Sequence, residues 1–243
     1  MQIFPRSANT IARVSILGVV ALIAFFGWAI FTIFRSTYIT RQGLVVRQPV
    51  PFSHDHHVAG LGIDCRYCHT SVEKSAFAGI PPTETCMNCH KQIWTNADLL
   101  EPVRASYRDN VPLQWSRVHD LPDYVYFNHS VHVAKGIGCA ECHGEVDRMP
   151  LMYQNAPLTM EWCLDCHRDP GKRVRPREEV FNLRWNPERR EDFLKYAPAV
   201  IPVPAEASRP EWKPSDEDVQ QLRTVLAKRY NVQSLMSCST CHR

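Results

Sequence analysis

The apolar positions of the chain gather first into one unbroken run. Val14 to Phe34 is 21 residues without a charged side chain, bounded by Arg13 and Arg35. About 20 apolar residues carry an α-helix across a hydrocarbon core, so the run predicts a transmembrane helix over 14–34. A cleaved signal peptide would have an apolar region of about 7–15 residues and a small-residue cleavage site. The "RSTYITRQG" that follows has no such site, so an uncleaved anchor is expected. Arg6 and Arg13 balance Arg35 and Arg41, and the flanking charge does not orient the helix. No ionisable residue lies inside it, so it reads as an anchor and docking surface with no quinone pocket of its own.

Beyond the anchor the pattern is broken. There are 18 prolines in 243 residues, where an average share of about 5% would give about 12. Short helices, many turns and little sheet follow from that. "NADLLEPVRASYRDN" predicts one short helix with Pro102 near its start. A second runs from an N-cap at Ser215 to Tyr230, with Val219, Leu222 and Leu226 on one face and Asp218 completing a capping box. Residues 191–214 are proline-rich and read as an extended segment over a surface. The expected fold class is mainly α with much irregular structure, and its soluble part looks poor in core of its own.

The cysteines name what fills the gap. All ten fall in C-x-x-C pairs: Cys65/Cys68, Cys86/Cys89, Cys139/Cys142, Cys163/Cys166 and Cys238/Cys241. Each pair is followed at once by a histidine: His69, His90, His143, His167 and His242. C-x-x-C-H is the attachment signature of c-type haem, with two thioethers and the adjacent histidine as proximal iron ligand. A zinc site does not require that histidine, and a disulfide has no use for it. Five covalently bound haems are therefore expected. Such haem is attached outside the bacterial cytoplasm, which orients the chain. Residues 1–13 are expected in the cytoplasm, 14–34 in the inner membrane, and 35–243 as a periplasmic domain organised around the haems.

The motifs repeat. "FSHDHHVAGLGIDCRYCH" and "FNHSVHVAKGIGCAECH" share F-[SN]-H-x-x-H-V-A before a C-x-x-C-H, and "GIPPTETCMNCH" matches "APLTMEWCLDCH". Residues 50–91 and 125–168 thus read as two copies of a two-haem unit, with a C-terminal arm and fifth haem at 169–243. Six histidines lie outside the motifs: His54, His56, His57, His119, His129 and His132. His54/His57 and His129/His132 are spaced i, i+3 and point the same way from a helical turn. They cannot face each other across one iron, so each pair serves two irons and holds two haems close. His56 reads as a surface or propionate-contacting residue, and His119 as a fifth distal ligand. No histidine lies between His167 and Cys238, so the C-terminal arm must fold back for its ligand. At haem four either an upstream histidine or one of Met149, Met152 and Met160 can serve, and methionine would raise the potential.

Charge adds little. Residues 168–190 carry eight Lys/Arg against four Asp/Glu; haem propionates are nearer anions than nucleic acid, and a subunit contact is the other reading. No catalytic constellation stands out. Histidine after every motif and plentiful second ligands favour outer-sphere electron transfer over an open-site reductase.

As a whole, residues 10–243 resemble the pentahaem cytochrome c subunit of alternative complex III. The resemblance rests on the anchor, "PFSHDHHV…CRYCH", "GIPPTETCMNCH", "VHDLPDYVYFNHSVHV…CAECH", "MPLMYQNAPLTMEWCLDCHRDP" and "CSTCHR". It implies a respiratory quinol:electron-acceptor oxidoreductase with polytopic quinol-binding subunits and an iron–sulfur subunit. A monohaem cytochrome c or terminal oxidase would take the electrons. Its ligand set would fall on the five motif histidines and on His54, His57, His119, His129 and His132. A quinol-dehydrogenase anchor subunit feeding a periplasmic reductase is the alternative, though such proteins usually carry four haems.

Overall fold

A computed structural model describes residues 4–242. The chain divides into two compact units, 1–42 and 43–243. The first is a single long helix, Ala8–Arg35, continued by one turn at Thr37–Thr40. None of its residues is buried, so its apolar faces have no partner within this unit. It is the one described helix long and apolar enough to cross a membrane.

The second unit is helical and irregular. Among its described residues the β pairing consists of two isolated antiparallel bridges, Val45 with Tyr153 and Ile137 with Val174. Its helices are short, and several are cut off by a nearby proline, glycine or motif histidine. Glu101–Asp109 starts with Pro102 in its first turn, where the missing N–H costs nothing, and ends on left-handed Asn110. Asp216–Arg229 has the full capping box between Ser215 and Asp218, and buries Val219, Leu222 and Leu226 as expected.

Two apolar clusters hold this unit. A small one joins Val50, Met87, Leu100 and Val103 beneath the second motif. The larger belongs to the C-terminal arm: Val174, Phe193, Ala197, Ile201, Val219, Leu222, Leu226 and Tyr230. Here the structure corrects two expectations. Residues 191–214 are not an extended surface segment: they contain the helix Arg190–Tyr196 and 3-10 turns at Ala197–Ala199 and Ala205–Ser208. Phe193 is wholly buried, and Ile201 is 6% exposed. The arm also has a core of its own, because prolines that break long helices still permit short turns to deliver apolar side chains.

The basic run 168–190 is likewise spent inside the chain. Lys172 pairs with Asp169, Arg173 and Arg175 with Glu141, and Arg184 with Asp147. Arg177 donates to the Ala134 carbonyl and lies over the Tyr230 ring, and Arg190 donates to the Ala207 carbonyl. These cations stitch the arm to the third motif and to itself.

Candidate haem-binding sites

Every C-x-x-C-H lies on a helical turn. Cys65–Cys68, Ala140–His143 and Cys238–Cys241 are single turns, while the second and fourth motifs close the helices Thr83–His90 and Met160–Arg168. A helical turn sets residues i and i+3 side by side, so both sulfurs of a motif face one way. Asp64 caps the first turn through Arg66 N, and Thr159 caps the fourth helix through Trp162 N. None of the ten cysteines is in a disulfide. Among the described residues no three His, Cys, Asp or Glu side chains converge as a zinc site would need.

The paired histidines sit in near-identical settings. Asp55–Gly60 is a π-helical turn carrying His57 just after His54; His129–Ala134 is a capped α-helix. Phe52 stacks on His57 at 4.4 Å and meets His54 edge-on at 4.9 Å. Phe127 stacks on His132 at 4.5 Å and meets His129 edge-on at 4.8 Å. These two phenylalanines are site residues that the histidine count missed. The signal was available, since both open the repeated F-x-H-x-x-H.

Seven of the eleven histidines have Nδ1 on a backbone carbonyl. His57 donates to Ser53 O (2.8 Å), His69 to Gly79 O (2.6 Å) and His90 to Ile93 O (3.3 Å). His129 donates to Ala76 O (2.8 Å), His132 to Asn128 O (2.7 Å), His167 to Leu235 O (3.2 Å) and His242 to Tyr124 O (3.0 Å). A carbonyl only accepts, so Nδ1 carries the proton and the Nε2 lone pair is left for a metal.

The spacing of the rings tests whether a haem iron fits. With metal–imidazole bonds of about 2 Å, two rings trans on one metal have centroids about 6 Å apart. His57 and His90 stand at 6.3 Å, His129 and His143 at 6.2 Å, and His132 and His167 at 6.2 Å. Three motif histidines therefore stand at ligand spacing from a histidine outside the motifs. His143 is buried among His119, His129, His69 and His54, and burial followed by these neighbours holds its pKa down at about 3. Burial and then His69 lower His54 to about 4, and burial and then His129 lower His119 to about 4. All three rings are neutral at physiological pH, as a metal ligand must be. Buried His54 Nδ1 and His119 Nε2 lack a hydrogen-bond partner within the protein.

His119 is placed beside His143, at 4.3 Å between centroids, too close for a metal between those two rings. The ring next to His242 is Tyr124, at 5.8 Å. His56 is exposed and stacks against Trp94 at 6.0 Å. Of the three methionines near the fourth motif, Met149 is 2% exposed in the core and Met160 is 68% exposed, with Met152 half-buried. His132 is the side chain that faces His167. The fifth motif does fold back, as Tyr126 N donates to Cys241 O.

Residues 125–183, which hold the third and fourth motifs, match the family model of cytochrome c7 and related cytochrome c. The multihaem cytochrome c subunit of menaquinone reductase from Nitratidesulfovibrio vulgaris is 32% identical over 170 residues, covering 61% of this chain and 77% of that subunit. The chain belongs to that subunit's family of multihaem c-type cytochromes. The acrylate reductase cytochrome subunit of Shewanella woodyi is 29% identical over 91 residues, covering 37% of this chain and 60% of that subunit. This multihaem cytochrome is thus mainly helical, with a cytochrome c7-like domain, and its C-x-x-C-H motifs are those of c-type haem.

Proposed function

We propose that this cytochrome carries five haems and passes electrons from quinol oxidation towards a cytochrome c or terminal oxidase, as a subunit of an alternative complex III-type assembly. The observation that carries the electron-transfer reading is the three facing histidine pairs at 6.2–6.3 Å. At these three sites ligands on both sides would close the metal to substrate, which supports an electron-transfer role rather than an enzyme on its own.

Haem, when bound, supplies a reversible one-electron change at iron. The chain's own residues do the rest. The ten cysteines hold each group by two thioethers, and His69, His90, His143, His167 and His242 provide the proximal ligands. His57, His129 and His132 are the distal ligands of the second, third and fourth sites, which makes the fourth a bis-histidine site. His54, whose lowered pKa reflects burial and then His69, is assigned to the first. Backbone carbonyls fix the imidazole tautomers and ring orientations, and Phe52 and Phe127 brace the distal rings against rotation.

In this reading residues 14–34 anchor the chain in the bacterial inner membrane and 35–243 lie on the periplasmic side. The anchor has no charged residue to build a quinone pocket, so polytopic partners bind the quinol and an iron–sulfur subunit lies beside the haem domain. The relative from menaquinone reductase, itself a multihaem subunit of a quinone-linked enzyme, supports a quinone partner. A second reading, a quinol-dehydrogenase subunit feeding a periplasmic reductase, is favoured by the acrylate reductase relative. The particle extracted in mild detergent and located by haem stain decides between them. Native mass with polytopic and iron–sulfur subunits upholds the first reading; a particle holding this chain with one soluble reductase upholds the second.

A further inference from the structure

The five motifs are not equally connected. The first and second touch directly: Asn88, inside the second, donates to the Tyr67 hydroxyl, inside the first, at 3.1 Å. The first also meets the helix that serves the third. His129 donates through N and Nδ1 to Ala76 O, and Ser130 N donates to Ser75 O, just after His69.

From the third motif the chain of contacts continues to the fourth. His132, on the helix carrying His129, faces His167, and Glu141 inside the third motif is clasped by Arg173 just after the fourth. Cys142 has Cys166 and Cys163 as neighbours. The fourth then holds the fifth: Ser234 Oγ donates to His167 O at 2.8 Å, and His167 Nδ1 to Leu235 O. Cys163 neighbours Cys241. Two cysteines of the ten are exposed, Cys89 and Cys238, one in the second motif and one in the fifth.

We propose that the five attachment sites form an unbranched series in the order second, first, third, fourth, fifth, with redox partners exchanging electrons at its two ends. The order departs from that of the sequence. Duplication explains why: each repeat holds an adjacent pair, first with second and third with fourth, and the repeats join through their first members. The second site is thereby pushed to one end, and the appended fifth extends the other. An electron taken up at one end is matched by one released at the other, so the donor and the acceptor are two different one-electron carriers on two separate surfaces. The inference rests on the five-haem reading.

The test uses the full haem-loaded chain in detergent. Mass spectrometry first counts the haems, and fewer than five overturns the five-haem reading and the series with it. Low-temperature EPR and a potentiometric titration then follow single-site changes. His57→Met, at the second site, should shift one signal besides its own, and Cys238→Ala with Cys241→Ala should remove one haem and shift one other. The two shifted neighbours should differ. His132→Met, at an interior site, should shift two neighbours. Tyr67→Phe and Ser234→Ala leave every ligand and sulfur in place, so they report even where the cysteine variant loses more than one haem. They should shift two disjoint pairs of signals. With five haems present, an end variant that shifts two neighbours, or any signal shifted by both Tyr67→Phe and Ser234→Ala, overturns the order alone.

Discussion

Gly138, one residue before Cys139, has no room for a side chain. A methyl there would sit 2.2 Å from Cζ and 2.3 Å from Nε of Arg175. The backbone on both sides cannot give way easily, since Ile137 bridges Val174 and Arg175 N donates to Gly136 O at 2.8 Å. Gly138→Ala must therefore expel the guanidinium. That side chain is 6% exposed; it donates to Glu141 Oε1 at 2.9 Å and Asn182 O at 3.1 Å and lies 5.3 Å from the Trp185 ring. Breaking a buried pair of this kind costs about 3–5 kcal/mol. Replacing glycine stabilises by about 0.4–1 kcal/mol through the unfolded chain, and Glu141 keeps Arg173 at 3.0 Å. A net loss of about 2–4 kcal/mol is expected. The assay is guanidinium unfolding of the haem-loaded chain followed by far-ultraviolet circular dichroism. Because the clash acts only through Arg175, Gly138→Ala with Arg175→Ala should be no less stable than Arg175→Ala alone. A wild-type midpoint for Gly138→Ala, or additive losses in the double variant, refutes the reasoning.

Two further outcomes follow from burial. Leu222 is fully buried between Phe193, Val219 and Leu226, so Leu222→Ala should lose about 3–5 kcal/mol in the same assay; a loss under about 1 kcal/mol would mean the arm is not held by this cluster. Glu179 is 3% exposed. Burial alone would raise its pKa, but hydrogen bonds from Lys195 (2.6 Å), the Tyr196 hydroxyl and Asn182 (2.7 Å) outweigh it and hold the value below the ordinary 4.5. A lowered carboxylate pKa stabilises the fold above the ordinary value and loses that contribution as pH falls through the folded one. Glu179→Gln should be weaker by about 1–3 kcal/mol at neutral pH, with the gap to wild type closing below pH 4.5. A gap that stays constant with pH would show that the carboxylate charge is not what these donors bind.

The parts of the fold legible in the sequence are those where one local rule decides. The capping box at Ser215 and the apolar face of Val219, Leu222 and Leu226 came out as read, because cap and periodicity agree within one helix. The haem motifs were equally local, five times over. What escaped was set by contacts between distant residues. Proline marks where helices stop and says nothing about where Phe193 or Ile201 point, so 191–214 looked extended. The arginines of 168–190 read as partners of propionates or of another subunit; only the fold shows that Arg173 and Arg175 also reach Glu141. His119 illustrates the same limit at the site, since a histidine count offers a ligand but not the iron it faces.

The two halves of the second unit are held by different means, and the histidine geometry suggests a reason. Between residues 43 and 168 the largest apolar cluster joins four buried side chains, small for a segment carrying four attachment motifs, with Val72, Met149 and Ala156 buried apart from it. The arm beyond it has eight. In the first half histidines bridge distant segments: His57 lies beside His90, and His132 beside His167. Under the proposed ligand assignment their i, i+3 partners, on the same turns, serve neighbouring sites, so moving one turn would disturb two metals at once. Cohesion and close spacing are then one property. A segment with a larger apolar core would push its metals apart, whereas one held by shared ligand turns keeps them near enough for electrons to pass. The arm needs no such economy, because it carries a single motif at its tip.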